Sequence, residues 1–145
     1  MVSLPPDEAT LNDRVAATLL LDHAANALGI RLVNASPGQA ELQMTVTREM
    51  LNALGIQHGG TLFTLGDTCF AAVCVSLGRD AVSRQADITF VAPVRRGQVL
   101  SARGREVLTH GRNVIVDVTI ADDEHRSIAE LRVHGTVPRP ASSVM

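Results

Sequence analysis

HGGTLFTLGDTCFAAVCVSLG, residues 58–78, is the stretch on which the fold turns. A His-Gly-Gly opens it, and the remainder is apolar or small apart from one carboxylate, Asp67. The run is apolar nearly all round, which predicts a buried helix over 59–77 rather than an amphipathic surface helix. An isolated ionised carboxylate inside such a helix costs on the order of several kcal/mol. Asp67 is therefore either compensated by a partner or put to use.

The flanking sequence supplies the rest of the fold. Leu11, Val15 and Leu19, then Leu20, Ala24 and Leu28, recur at spacings of four and predict an amphipathic helix over 10–28, with Gly29 in the C′ position. From Arg31 the period shortens. Ala40, Leu42, Met44 and Val46 alternate with Glu41, Gln43, Thr45 and Thr47, the pattern of a strand with one wet face. With the stretch IRLVNA, across Ser36-Pro37-Gly38-Gln39, it predicts a hairpin. Beyond Gly78, strands are expected near 82–92, 98–109, 112–121 and 127–137. Short turns between consecutive strands predict antiparallel neighbours. Strands patterned on one side need an apolar cover, and the central helix needs wrapping. A curved antiparallel sheet folded around one helix satisfies both, an α+β fold. The chain reads as one structural domain: an N-terminal segment and helix at 1–29, a body at 30–138 and a flexible tail at 139–145.

Composition removes several function classes. A net charge of −2 gives no basic footprint for nucleic acid. All 13 basic residues are Arg, so neither a Schiff-base lysine nor a P-loop lysine is present. Cys69 and Cys74 lie about 140° apart around a helix and are expected to pack as small hydrophobes. The start, MVSLPPDEATLNDR, has no basic and apolar leader pattern, and FAAVCV is too short to span a bilayer. A cytoplasmic protein without membrane partners is expected. Five His (His23, His58, His110, His125, His134) form no HxxxH or HxH pair, so no metal site is expected.

The chemistry is read from the same stretch. A helix starting at His58-Gly59-Gly60 offers free N–H groups at its positive end, and the glycines let a reacting group approach the backbone. Asp67 lies eight residues beyond Gly59, about 12 Å along the helix axis. One carbonyl cannot sit within about 3 Å of the Gly59 amide and also receive attack assisted by Asp67 of the same helix. If both act on one carbonyl, two antiparallel copies of the helix must supply them, in a homodimer with two composite sites. The alternative for Asp67 is a hydrogen bond to the Thr64 or Thr68 hydroxyl.

The segment MLNALGIQHGGTLFTLGDTCFAAVCVSLG resembles the signature of the hotdog-fold acyl-CoA thioesterases, in the PaaI-type phenylacetyl-CoA thioesterase branch. ALGIRL, TVTREMLN and ITFVAPVRRGQVLSARGRE extend the likeness over roughly residues 20–138. The resemblance implies a hotdog fold, hydrolysis of an aryl, arylacetyl or short to medium acyl-CoA, and no cofactor beyond the coenzyme A of the substrate. It implies a homodimer, assembled further into a homotetramer. Asp67 becomes the catalytic carboxylate, as general base or as nucleophile, and Gly59 the oxyanion donor. His58 and Asn52 orient the thioester, and Ser83 holds the attacking water. The plainer readings make Asn52 a turn residue, His58 a helix cap and Ser83 a strand-start hydroxyl. Arg84, Arg95, Arg96 and Arg112 lie near strand ends or turns and are candidates for the coenzyme A phosphates, or else solvated turn charges. Two departures from the family pattern, Gly66 and Val75, bear on the acyl group. A non-catalytic acyl-CoA-binding protein and an enoyl-thioester hydratase or dehydratase stay open as alternatives on the same fold.

Overall fold

The computed structural model describes residues 10–141. The first nine residues of the N-terminal segment and residues 142–145 of the expected tail lie outside it. Six strands form one antiparallel sheet: β1 (Arg31–Ser36), β2 (Gln39–Thr45), β3 (Val82–Phe90), β4 (Val99–His110), β5 (Asn113–Ala121) and β6 (Ser127–Thr136). Their order is β1-β2-β4-β5-β6-β3. Helices α1 (Leu11–Leu20) and α2 (His23–Ala27) precede the sheet, and α3 (Gly59–Ser76) touches all six strands. This is the expected curved sheet around a central helix.

Two expectations need correction. The helix predicted over 10–28 is broken, with Leu21 ending α1 and Asp22 starting α2. The Asp22 carboxylate accepts from the Ala25 N–H at 2.9 Å, an N-cap that outcompetes continuation of the helix. Leu20 and Leu21 are consequently exposed rather than part of a continuous apolar face. Gly29 does occupy the left-handed conformation expected at the stop, with φ 67°. The second correction concerns β3 and β4, which are consecutive but not paired. β3 is an edge strand on β6, whereas β4 lies between β2 and β5. The chain between them crosses the N-terminal end of α3, where Val94 O accepts from Gln57 N and Val46 O accepts from Gly97 N. A tight hairpin is impossible along that path.

Sheet and helix meet at glycines. A Cβ on Gly66 of α3 would lie 2.4 Å from Leu131 Cδ2 of β6, and one on Gly135 of β6 would lie 2.2 Å from Phe70 Cζ. Gly104 of β4 likewise makes room for Val73 and for the Cys69 sulfur. The apolarity that gives α3 the length and composition of a membrane span is here directed into the sheet. One stripe of α3 is left incompletely covered: Gly60, Phe63, Thr64, Asp67 and Ala71. The bare Gly66 is thus explained by Leu131, and overpacking here costs about 1–3 kcal/mol. Gly66→Ala should lower the urea midpoint accordingly, and adding Leu131→Val in the same chain should recover most of the loss.

Candidate active site

The first turn of α3 is built by its own side chains. His58 is the N-cap, and its Nδ1 accepts from Gly60 N–H at 3.0 Å. Thr61 Oγ1 donates to the His58 carbonyl at 2.7 Å, and Gln57 Nε2 donates to Thr61 Oγ1 at 3.0 Å. The peptide leading in is clamped from two sides, His58 N–H to Met50 O and Gln57 N–H to Val94 O. Gly59 N–H, first in the helix, has no intrahelical acceptor. Gly59 lines a groove of about 510 Å³ together with Asn52, Gln57, Leu62, Phe90 and Val94. A Cβ at this position would sit 2.8 Å from Phe90 Cζ, so only glycine fits beneath that ring without a shift.

Asn52 serves the loop that carries this turn. Its Oδ1 accepts from Leu54 N–H at 2.9 Å and from Ile56 N–H at 3.4 Å, while its carbonyl accepts from Gly55 N–H. That is the turn-residue alternative, realised in a residue that also lines the groove.

Asp67 stands elsewhere on α3. It is half-buried, and its Oδ1 is buried with no hydrogen-bond partner among the described residues. The hydroxyls that could compensate it are engaged with the main chain: Thr64 Oγ1 donates to Gly60 O and Thr68 Oγ1 to Thr64 O. The compensated reading of Asp67 is therefore not what the structure shows.

Ser83, exposed on β3, pairs with Gly135, the residue packed on Phe70. Phe70 is about 4.5 Å beyond Asp67 along α3. Asp67 lies midway along α3, and Ser83 is placed toward the Phe70 side of it, away from Gly59, Asn52 and Phe90 at the helix start. The arginines divide the same way. Arg84 and Arg112 lie where β3 begins and where β4 turns into β5, whereas Arg95 and Arg96 lie in the crossover beside the start of α3. All four are exposed, and none pairs with a carboxylate among the described residues; Arg112 donates to Val137 O at 3.2 Å.

Two groove residues escape a reading of the sequence. Gln57 reads as one more loop residue before His58, and Phe90 as one more residue of the strand expected near 82–92. Their positions depend on the 91–98 crossover, which no local pattern reveals. The cysteines are no rivals to Asp67, since burial pushes both thiols up to about 12. Among the described residues no three His, Cys, Asp or Glu side chains gather closely enough to hold a metal ion.

A family model described as the thioesterase superfamily matches residues 54–129. The chain is 38% identical to Acyl-coenzyme A thioesterase PaaI of Escherichia coli over 112 residues, covering 77% of this chain and 79% of the other. It is 36% identical to human Acyl-coenzyme A thioesterase 13 over 97 residues, 62% of this chain and 67% of the human protein. The solved structure of E. coli PaaI superposes with a TM-score of 0.82 at 30% identity, covering 90% of this chain and 97% of that one. A Streptococcus mutans protein bound to acetyl CoA superposes with a TM-score of 0.74 at 29% identity, covering 75% and 88%. The chain belongs to the thioesterase superfamily, has its hotdog fold and is a thioester hydrolase of the PaaI type.

The Asn52 geometry generates a test. Asn52→Asp keeps the oxygen that accepts from Leu54 and Ile56 and should retain both stability and turnover. Asn52→Ala should lose about 1 kcal/mol of stability, read by chemical denaturation, together with kcat/KM. Equal losses in both variants would instead assign the role to the Asn52 amide group.

Proposed function

We propose that the protein is an acyl-CoA thioesterase acting on aryl- or arylacetyl-CoA, or on short to medium acyl-CoA. The observation that carries the reading is the orphaned carboxylate oxygen of Asp67, on the incompletely covered stripe of α3, about 12 Å from the Gly59 amide on the same helix. Each is half of a hydrolytic site. PaaI and the human relative are named acyl-coenzyme A thioesterases, and the S. mutans structure carries acetyl CoA, which supports the substrate class.

The halves come together in a homodimer. β3 is a nine-residue edge strand whose end residues Val82 and Phe90, with Val91 just beyond, are about half exposed, an edge that calls for a cover. A two-fold axis running across β3 and the α3 stripe sets Asp67 and Ser83 of one protomer against Gly59, Asn52 and Phe90 of the other. It also brings Arg84 and Arg112 to the end where the neighbour presents Arg95 and Arg96, a set suited to the coenzyme A phosphates. Two such dimers make the proposed homotetramer. The two free, buried thiols suit a reducing compartment, and the cytoplasm is the proposed location.

In the proposed reaction Asp67 accepts a proton from water as the water oxygen attacks the thioester carbonyl. The Gly59 N–H holds the resulting oxyanion, with the helix dipole behind it. Collapse of the tetrahedral intermediate breaks the C–S bond, and the proton on Asp67 returns to the departing thiolate. The products are the carboxylic acid and coenzyme A, and these steps call for no metal or redox cofactor.

The test is release of coenzyme A from phenylacetyl-, hydroxyphenylacetyl-, benzoyl- and C4 to C12 acyl-CoAs, with Asp67→Asn alongside. On the best substrate the variant should lose about 10²–10⁴-fold in kcat with KM little changed. Binding without turnover would favour a non-catalytic acyl-CoA-binding protein, and hydration of crotonyl-CoA would favour a hydratase.

A further inference from the structure

Gln57 takes no part in the hydrolytic steps, yet it is 5% exposed and lines the groove next to Gly59. Its neighbours fix which end of its amide is free. The Thr61 hydroxyl has one proton and donates it to the His58 carbonyl, so toward Gln57 it accepts. Gln57 Nε2 therefore faces Thr61, and Oε1 is left buried with no partner among the described residues. The large majority of buried polar atoms in folded proteins have a hydrogen-bond partner, from protein or ordered water. The other groove side chains are apolar, Ile56, Leu62, Phe90 and Val94 among them, except Asn52, whose Oδ1 is already taken by Leu54 N–H and Ile56 N–H. A small number of polar groups in a mostly apolar cleft is the arrangement that fixes a ligand's orientation.

We propose that Gln57 is a specificity-determining residue whose Oε1 accepts a hydrogen bond from an N–H or O–H donor of the substrate in this groove. The donor is a hydroxyl on the acyl group or an amide of the pantetheine arm. The proposal rests on the thioesterase reading of the groove. A substrate that brings the donor completes the buried acceptor, and an analogue without it leaves the acceptor bare and is disfavoured. The same side chain, through Thr61, holds the His58 carbonyl and so the first turn of α3. A substitution here therefore has a structural effect as well, and the test must separate the two.

Wild type and Gln57→Met, which keeps the length and removes both polar ends, are compared by kcat/KM on three thioesters. These are a hydroxyacyl-CoA, its deoxy counterpart, and the deoxy acyl group on S-propyl thiol, which carries no amide. If Oε1 reads an acyl hydroxyl, wild type prefers the hydroxyacyl-CoA over the deoxy ester by roughly fivefold to tenfold, and the variant loses that preference. If it reads a pantetheine amide, both CoA esters fall by that factor in the variant and the S-propyl ester does not. A uniform change across all three marks a disturbed helix start and overturns the proposal. No change at all marks an ordered water on Oε1 and also overturns it. Should no thioester be hydrolysed, the reaction fails as a reading by itself. The dissociation constants of the matching thioether analogues then give the same ratios for Gln57, and failure of the analogues to bind overturns the proposal.

Discussion

An α-helix rises about 1.5 Å per residue, and that pitch is the constraint on which the proposed composite site depends. It holds the Gly59 amide and the Asp67 carboxylate about 12 Å apart on one rigid element. α3 is pinned against all six strands, so no side-chain motion closes the gap. A thioester carbonyl is only a few ångströms across its reacting atoms. In the proposed reading, an amide donor and a carboxylate at this spacing are two half-sites, and two-fold symmetry is the economical way to complete them.

The packing serves that spacing. Glycines at Gly66, Gly104 and Gly135 let α3 lie closer to the sheet than any side chain would allow, with Leu131, Cys69, Val73 and Phe70 filling the room left. The helix is thereby buried on the sheet side and only partly covered along the stripe that carries Asp67. At the other end, the 91–98 crossover wraps the start of α3. It delivers Phe90 onto Gly59 and ties Val94 to Gln57. The fold thus leaves Asp67 Oδ1 and Gln57 Oε1 as two buried oxygens without partners among the described residues, one midway along α3 and the other just before its start. In a folded protein such groups are exceptions that call for a cause.

Much of this is legible in the sequence, and the part that is not shares a physical reason. Alternation in β2 and β5, and the apolar run of α3, are local signals produced by burial on one face, and the structure follows them closely. The His58-Gly59-Gly60 start and the Asp67 spacing are readable because helix geometry is fixed. What escapes depends on competition or on distance along the chain. The Asp22 cap defeats a helical period that runs straight through it. The pairing of β3 with β6 rather than β4 is decided by where α3 sits, not by the short segment between the strands. Asn52 reads equally as site residue or turn residue, and its carbonyl and side-chain oxygens fold the turn. Gln57 and Phe90 line one groove because β3 and the crossover after it run back to the helix start.

The most direct measurement is complementation between two inactive variants. Asp67→Asn removes the carboxylate. Gly59→Pro removes the amide N–H at a helix position that tolerates proline, with Phe90→Ala in the same chain to make room for the proline ring. Co-expressed, the two chains form mixed dimers in which one site carries all the changes and the other carries none. If the sites are composite, the mixture should recover about a quarter of wild-type activity, while each variant alone stays near zero. A mixture no more active than its parents would contradict the account, because it would place Asp67 and Gly59 of a single chain in the same site.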